Sequence, residues 1–333
     1  MQKKILFIDS NHPRLHKMIM EKGFQCDLFY DKPTEELKKL IPQYDGIVLR
    51  SKFKITKEII DSAPYLKCIA RVGAGMENID VAYAQQKGIA CVNSPEGNRD
   101  AVAEHALGML LCLFNNLAKA NAEVKSGKWL REENRGIELC GKTIGIIGYG
   151  NMGAAFAQRL QSFGVNVLAY DKYKKGFGNA FQHSANPLIK NKSNELNDFI
   201  KESSLEEIFE QADILSLHTP LTEETHYIIN DAFIKSFKKA IYIINTARGK
   251  CLNTADLVKN IENKKVLGAC LDVLEYEAVS FEGIDFKEIP KPMQYLIKSD
   301  KVILTPHIAG WTHESNIKLA EFLAEKIIAV FKP

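Results

Sequence analysis

The chain has little of what would mark a secreted, metal-binding, membrane or nucleic-acid protein. Its seven cysteines, at positions 26, 68, 91, 112, 140, 251 and 270, are odd in number and include no C-x-x-C pair. They read as thiols of a reducing cytoplasm, not as a disulfide framework or zinc site. Net charge is only +3 with no basic block, which gives no case for nucleic acid or an anionic membrane surface. The longest strongly apolar stretch, Ala106 to Phe114, is far short of the roughly 20 residues that span a bilayer. The N-terminal apolar run, Ile5 to Ile8, is too short for a signal peptide and reads as a first strand. His12 and His16, spaced i, i+4, form the one metal-like pair, and no third ligand lies near them in sequence, so no metal is expected. No internal repeat is apparent. A soluble, cytoplasmic protein is the expectation.

What is present is alternation. Short apolar runs at Ile5–Ile8, Gly46–Leu49, Cys68–Val72 and Ile89–Val92 read as buried strands, separated by helical patterns such as Pro13–Lys22 and Thr56–Ser62. A length of 333 residues favours two domains. A long periodic helix is predicted from about Asp100 to Ala122, capped by Asn98 or Asp100 and bridging the two. Strands resume at Ile214–Leu217, Ala240–Asn245, Gly268–Val273 and Val302–Leu304. A last helix, Glu314–Phe331, has no sheet partner in the second domain and is expected to return to the first. Between Tyr173 and Lys201 the chain is rich in Asn, Lys, Ser and Gly and reads as a surface loop.

The most informative segment is Thr143-Ile144-Gly145-Ile146-Ile147-Gly148-Tyr149-Gly150-Asn151-Met152-Gly153, an apolar strand running through a glycine turn into a helix. This is a dinucleotide-binding fingerprint in its proper context. Gly148 permits the tight turn, Gly150 allows a pyrophosphate to approach the backbone, and Gly153 lets the helix pack on the strand. The phosphates are expected on the helix N-terminus. Asp171, at the end of the next apolar run, would hold the adenosine ribose and repel a 2'-phosphate, which selects NAD over NADP. Lys172, Lys174 and Lys175 work against that selection.

Three further pieces place a polar group just after an apolar strand, where open α/β sheets bind ligands. They are Asn245-Thr246-Ala247-Arg248-Gly249, Asp272-Val273-Leu274-Glu275-Tyr276-Glu277 and Thr305-Pro306-His307-Ile308-Ala309-Gly310-Trp311. A guanidinium fork at Arg248 suits the coplanar carboxylate and carbonyl of a 2-oxo acid. His307 suits proton transfer to the carbonyl oxygen as hydride reaches carbon, and Glu277 is placed to fix its tautomer. Taken singly, Arg248 also reads as a surface turn, Glu277 as one of several loop acids and His307 as a strand-end residue. The three together point to an oxidoreductase acting on a CH–OH group.

With these motifs, and with Arg50-Ser51, Val72-Gly73-Ala74-Gly75, Asn93-Ser94-Pro95 and Ala101-Val102-Ala103-Glu104-His105, the chain resembles the D-isomer-specific 2-hydroxyacid dehydrogenase family from about Asp45 to Lys326. Members of that family include phosphoglycerate dehydrogenases and glyoxylate and hydroxypyruvate reductases. The resemblance implies two doubly wound parallel-sheet domains of the α/β class, with a Rossmann NAD-binding domain (98–307) inserted into a flavodoxin-like substrate domain (1–97 and 308–333). It implies Arg248, Glu277 and His307 as the catalytic set. NAD contacts are implied at Asn151, Met152, Asp171, Thr219, Pro220, Thr246, Ala247, Arg248, Asp272 (through the carboxamide), His307 and Gly310, beside Gly148, Gly150 and Gly153. Substrate contacts are implied at Arg50, Ser51, Gly73, Ala74, Gly75 and Arg248. It also implies a homodimer formed largely through Ala101 to Glu138. The family usually has proline where this chain has Ala278.

Formate dehydrogenases share the fold and are expected to pair the histidine with glutamine, so Glu277 argues against them. NADH-sensing binding proteins of corepressor type are the alternative from another class. Arg50, Lys52 and Lys54 predict a cationic mouth, which favours 3-phosphoglycerate and phosphohydroxypyruvate over hydroxypyruvate and glyoxylate.

Overall fold

The computed structural model describes residues 2–30, 33–176, 199–277 and 288–332. They fold as two compact units, within residues 2–99 and 311–332 for the first and residues 100–277 and 288–310 for the second. Most of the polar segment Tyr173–Lys201, and Ala278, lie outside the described residues.

The first unit is built on β1 (Lys4–Phe7), β2 (Gln25–Leu28), β3 (Gly46–Leu49), β4 (Cys68–Arg71) and β5 (Ala90–Asn93). The sheet order is β2-β1-β3-β4-β5 and every pairing is parallel, the flavodoxin-like arrangement. Central strands β3 and β4 are buried at every residue, which is why they read as continuous apolar runs. Edge strand β2, with the sequence Gln-Cys-Asp-Leu, is half-exposed and carries no such signal; the sequence reading missed it. His12 caps α1 (Pro13–Met20) by accepting the Arg14 amide, and the His16 ring packs edge-on against Phe7, so both have packing roles.

The C-terminal helix, which begins at His313 and ends at Val330, belongs to this first unit. Its Leu319, Ala320, Leu323, Ala324 and Ile327 pack with Ile5, Phe7, Val48 and Val72. A capping box between Thr312 and Ser315 starts the helix. Gly97 is where it comes closest to the chain leaving β5: a Cβ there would lie 2.5 Å from the Leu319 backbone nitrogen.

The second unit has a seven-stranded, all-parallel sheet. Its strands are β6 (Thr143–Ile147), β7 (Asn166–Tyr170), β8 (Ile200–Glu202), β9 (Ile214–Leu217), β10 (Ile241–Asn245), β11 (Val266–Leu271) and β12 (Val302–Leu304). Across the sheet the order is β8-β7-β6-β9-β10-β11-β12, so the sequence order reverses between β6 and β9. That reversal opens a crevice at the carboxyl ends of those two strands, where Rossmann sheets hold a dinucleotide.

The long helix predicted over Asp100–Ala122 is instead two helices, Arg99–Phe114 and Leu117–Lys125. The break is at Asn116, which sits in the left-handed region at φ 51°, a conformation asparagine tolerates better than most residues and a continuing helix does not allow. The first of the pair is a core element of the second unit: Ala103, Ala106, Met109, Leu110 and Leu113 pack with Ile144 and Ile146. No single helix among the described residues is long and apolar enough to cross a membrane.

Two glycines give a paired stability test. Gly97→Ala should lower the Tm, because its Cβ meets helix backbone that cannot yield. Gly108→Ala, where a Cβ meets nothing within 4 Å in the middle of a helix, should hold or raise the Tm, with a gain in stability of up to about 1 kcal/mol. Equal melting shifts for the two variants would contradict the packing described.

Candidate active site

The crevice of the second unit starts at the glycine turn. Gly148 has φ +91°, and a Cβ on it would lie 2.6 Å from the His218 carbonyl oxygen. A Cβ on Gly153 would lie 2.1 Å from the Gly148 carbonyl, so the helix that begins at Asn151 touches the turn directly. Gly150 differs: nothing lies within 4 Å of its Cβ position, which leaves backbone open to an incoming group. Gly150 is the N-cap, with no side chain covering the first amides of the helix, so the N–H groups of Asn151 and Met152 are placed to receive phosphate.

Asp171 follows β7 and is held toward this turn. Its Oδ2 accepts the Tyr149 amide at 2.8 Å, and its Oδ1 accepts the amides of Tyr173 and Lys174 at 2.9 and 3.0 Å. A carboxylate offers about four acceptor positions, so roughly one remains for a ribose hydroxyl. Two of the neighbouring lysines have carboxylates of their own, while Lys174 donates to the Tyr149 carbonyl. Lys172 pairs with Glu224 at 2.8 Å, and Lys175 lies 3.9 Å from Glu202.

After β9 come His218, Thr219 and Pro220. His218 Nε2 bonds Ser216 Oγ at 2.8 Å and its ring packs on Phe156. Burial drives its pKa down to about 3, so it lies neutral beneath the glycine turn and contributes no charge there. The hydroxyl oxygens of Thr219 and Thr246 are buried with no hydrogen-bond partner among the described residues. Buried hydroxyls ordinarily find partners, so these two, at the ends of β9 and β10, are open to atoms of a bound group. With the open backbone at Gly150 and the carboxylate at Asp171, they fit an NAD molecule.

The three chemistry-bearing loops follow β10, β11 and β12. The Arg248 loop is closed by Asn245, itself 1% exposed, whose side chain accepts the Ala247 amide and donates to the Arg248 carbonyl, both at 3.0 Å. Arg248 Nη1 donates to the Ala247 carbonyl at 2.6 Å. Gly249 then packs its backbone on Leu274, which sets the Arg248 loop against the one carrying Glu277; a Cβ would lie 2.0 Å from the Leu274 carbonyl oxygen. Sequence reasoning passed over Asn245 and Gly249 as positioning residues.

Of the two candidate acids in the next loop, Glu275 is structural. It accepts the Thr254 amide at 2.8 Å and the Tyr227 hydroxyl at 2.7 Å, which helps push that phenol up to about 12. Glu277 instead bonds His307 Nδ1 through Oε2 at 2.7 Å, while its Oε1 accepts the Leu274 amide. His307 lies in the left-handed region at φ 56°. Its amide donates to the Asp272 carbonyl at 2.8 Å. The next two amides, of Ile308 and Ala309, donate to the Asp272 carboxylate at 2.8 and 2.9 Å. Asp272, expected as a carboxamide contact, is thus also the anchor of the turn that carries His307.

The first unit has its own switch point, between β1 and β3. Asp9 follows β1, is 6% exposed, and accepts the Arg50 amide at 2.6 Å. The Arg50 guanidinium lies 4.6 Å from the Trp311 ring centre, and burial lowers its pKa against the opposing pull of Asp9. Lys52 stands over the Phe53 ring at 5.9 Å. The Val72–Gly75 loop is held by Arg71, a buried residue the sequence reading missed, through the Gly75 carbonyl at 2.6 Å and the Arg50 carbonyl at 3.0 Å. Asn93 donates to the Ala74 carbonyl.

Comparison with known proteins agrees with this geometry. Residues 107–309 match the family model described as D-isomer specific 2-hydroxyacid dehydrogenase, NAD binding domain. A hydroxypyruvate reductase from Thermotoga maritima is 37% identical over 88% of this chain and 87% of its own. A D-3-phosphoglycerate dehydrogenase from Archaeoglobus fulgidus is 34% identical over 93% of this chain; the chain spans 54% of that protein's length. Among solved structures, D-lactate dehydrogenase from Aquifex aeolicus, complexed with NAD and lactic acid, superposes with a TM-score of 0.78 at 29% identity, covering 98% of this chain and 94% of that one. The chain belongs to the D-isomer-specific 2-hydroxyacid dehydrogenase family and is an NAD-dependent oxidoreductase of the CH–OH group of small hydroxy acids.

The Asp171 geometry yields a cofactor test. Asp171→Ser should narrow the ratio of kcat/KM for NADH over NADPH, because the charge that opposes a 2'-phosphate is gone while the lysines remain. An unchanged ratio would remove Asp171 from cofactor selection.

Proposed function

We propose that Arg248, Glu277 and His307 are the catalytic set and that the physiological reaction is the interconversion of 3-phosphoglycerate and phosphohydroxypyruvate. The observation that supports the first part is the 2.7 Å contact between His307 Nδ1 and Glu277 Oε2. A carboxylate on Nδ1 fixes the orientation of the ring and holds a proton on that nitrogen, which makes Nε2 the nitrogen proposed to meet the substrate. Arg248 holds the carboxylate of the oxo acid, and His307 Nε2 gives a proton to the carbonyl oxygen; in the oxidising direction the same nitrogen removes it. Bound NAD(H) supplies or accepts the hydride. Asn151, Met152, Asp171, Thr219, Thr246 and Ala247 are its proposed contacts, while Asp272 has about one acceptor position left for the carboxamide.

Arg50 supports the phosphorylated substrate. Its guanidinium has no hydrogen-bond acceptor among the described residues and lies over the Trp311 ring, so its N–H groups are available to an anion. With Ser51, Gly73, Ala74 and Gly75 it makes up the proposed substrate contacts of the first unit. Lys52 and Lys54 are exposed, which weakens the case for a three-cation cluster and keeps hydroxypyruvate as the second reading. We also propose a homodimer through the second unit, where the apolar side chains Leu117, Val124, Trp129, Leu130 and Ile137 are between 37 and 77% exposed.

The test is NADH oxidation with phosphohydroxypyruvate, hydroxypyruvate, glyoxylate and pyruvate in turn. Phosphohydroxypyruvate should give the highest kcat/KM, and Arg50→Ala should cost it far more than glyoxylate; a uniform loss would sink the phosphate reading. His307→Ala should lower kcat by about 10²- to 10⁴-fold on any accepted substrate, and a near-normal rate would refute its assignment. Tight NADH binding without turnover on the whole panel would favour a binding protein.

A further inference from the structure

The acid–base histidine sits in a backbone conformation that costs a non-glycine residue on the order of 1 kcal/mol or more. Something must hold it there. The nearest restraint is Asp272, 1% exposed, whose carboxylate takes the two amides that follow His307. Asp272 is itself restrained: the Thr305 hydroxyl lies 2.6 Å from Oδ1, within the range of a charge-assisted O–H···O bond.

Thr305 has three neighbours for one proton. Met109 Sδ lies at 3.8 Å, Asp272 Oδ1 at 2.6 Å and His105 Nε2 at 3.0 Å. A carboxylate is a far stronger acceptor than a thioether, so the proton goes to Asp272. Thr305 Oγ1 must then accept from His105, which places a proton on Nε2 of that ring. His105 and Met109, four residues apart, reach Thr305 from one face of the helix Arg99–Phe114. His105 Nε2 is also 3.5 Å from Asp272 Oδ1, close enough for a charge interaction but longer than its bond to Thr305.

We infer that His105 is a positioning residue for the reaction: it acts through the Thr305 hydroxyl and the Asp272 carboxylate to fix the left-handed turn that presents His307. The order of contacts is His105 to Thr305, Thr305 to Asp272, and Asp272 to the amides of Ile308 and Ala309. Each link lies within the second unit. The inference rests on the reading of His307 as proton donor, and its effect belongs to kcat, because the turn sets where His307 stands and not how the oxo acid is bound.

The test uses four variants of the whole chain: His105→Leu, which keeps volume and removes the donor; His105→Gln, whose side-chain amide restores an N–H; Thr305→Val; and the double variant His105→Leu/Thr305→Val. Displacing a catalytic group by about 1 Å costs up to ~100-fold, so a smaller shift of the turn should lower kcat about tenfold in His105→Leu and in Thr305→Val with KM little changed. The double variant should be no worse than the poorer single one, since both break one chain. His105→Gln should recover most of the rate. The His307 ring resonance in ¹³C–¹H NMR, assigned by its loss in His307→Ala, should shift in the Leu and Val variants and stay in place in Gln. That signal is read without turnover, so it separates this inference from the catalytic assignment, which fails if His307→Ala keeps its rate. Multiplicative losses in the double variant, or Gln and Leu behaving alike in both rate and resonance, would overturn the role of His105.

Discussion

The second unit's chemistry depends on one buried carboxylate. Asp272 leaves β11, loses its solvent, and regains hydrogen bonds from Ile308, Ala309 and Thr305. A carboxylate taken out of water without such partners would be strongly unfavourable, so the donors and the anion require one another. Because those donors flank His307, the hydrogen bonds that hold the Asp272 carboxylate also keep His307 at φ 56°, where Glu277 reaches its Nδ1. Removing the carboxylate would leave two amides without acceptors and release the turn.

A similar economy of backbone amides governs the cofactor end. Asp171 takes three of them and so is pinned to the glycine turn, while Gly150 leaves its neighbours uncovered. One crevice therefore has a fixed negative charge at one side and free N–H groups at the other, the polarity that a dinucleotide with a 2'-hydroxyl ribose and a pyrophosphate requires. His218 stays neutral below them, so it does not disturb that arrangement.

The parts of this that were legible in the sequence are those with a period or a fixed spacing. Fully buried parallel strands such as β3, β6 and β9 read as unbroken apolar runs, their alternation with helical patterns led to the parallel-sheet class, and the glycine fingerprint led to NAD. Half-exposed edge strand β2 had no such run, and Asn116 ended a helix through a single backbone angle that composition does not carry. Site residues defined by contacts across the sequence were harder. Glu275 and Glu277 are indistinguishable as letters; they differ only because Thr254 and Tyr227 take the first and His307 the second. Arg71, Asn245 and the anchoring role of Asp272 are likewise visible only once distant segments are brought together.

The central claim is that the proton delivered during hydride transfer comes from His307. Isotope effects on kcat/KM test it most directly, with NADH carrying deuterium at the transferred position and with D₂O as solvent. The account predicts that the wild-type enzyme shows both effects, and that His307→Ala keeps the deuteride effect but loses the solvent effect attached to proton donation. A solvent effect of the same size in His307→Ala would mean that another group supplies the proton, and the role given to the Asp272-anchored turn would fall with it.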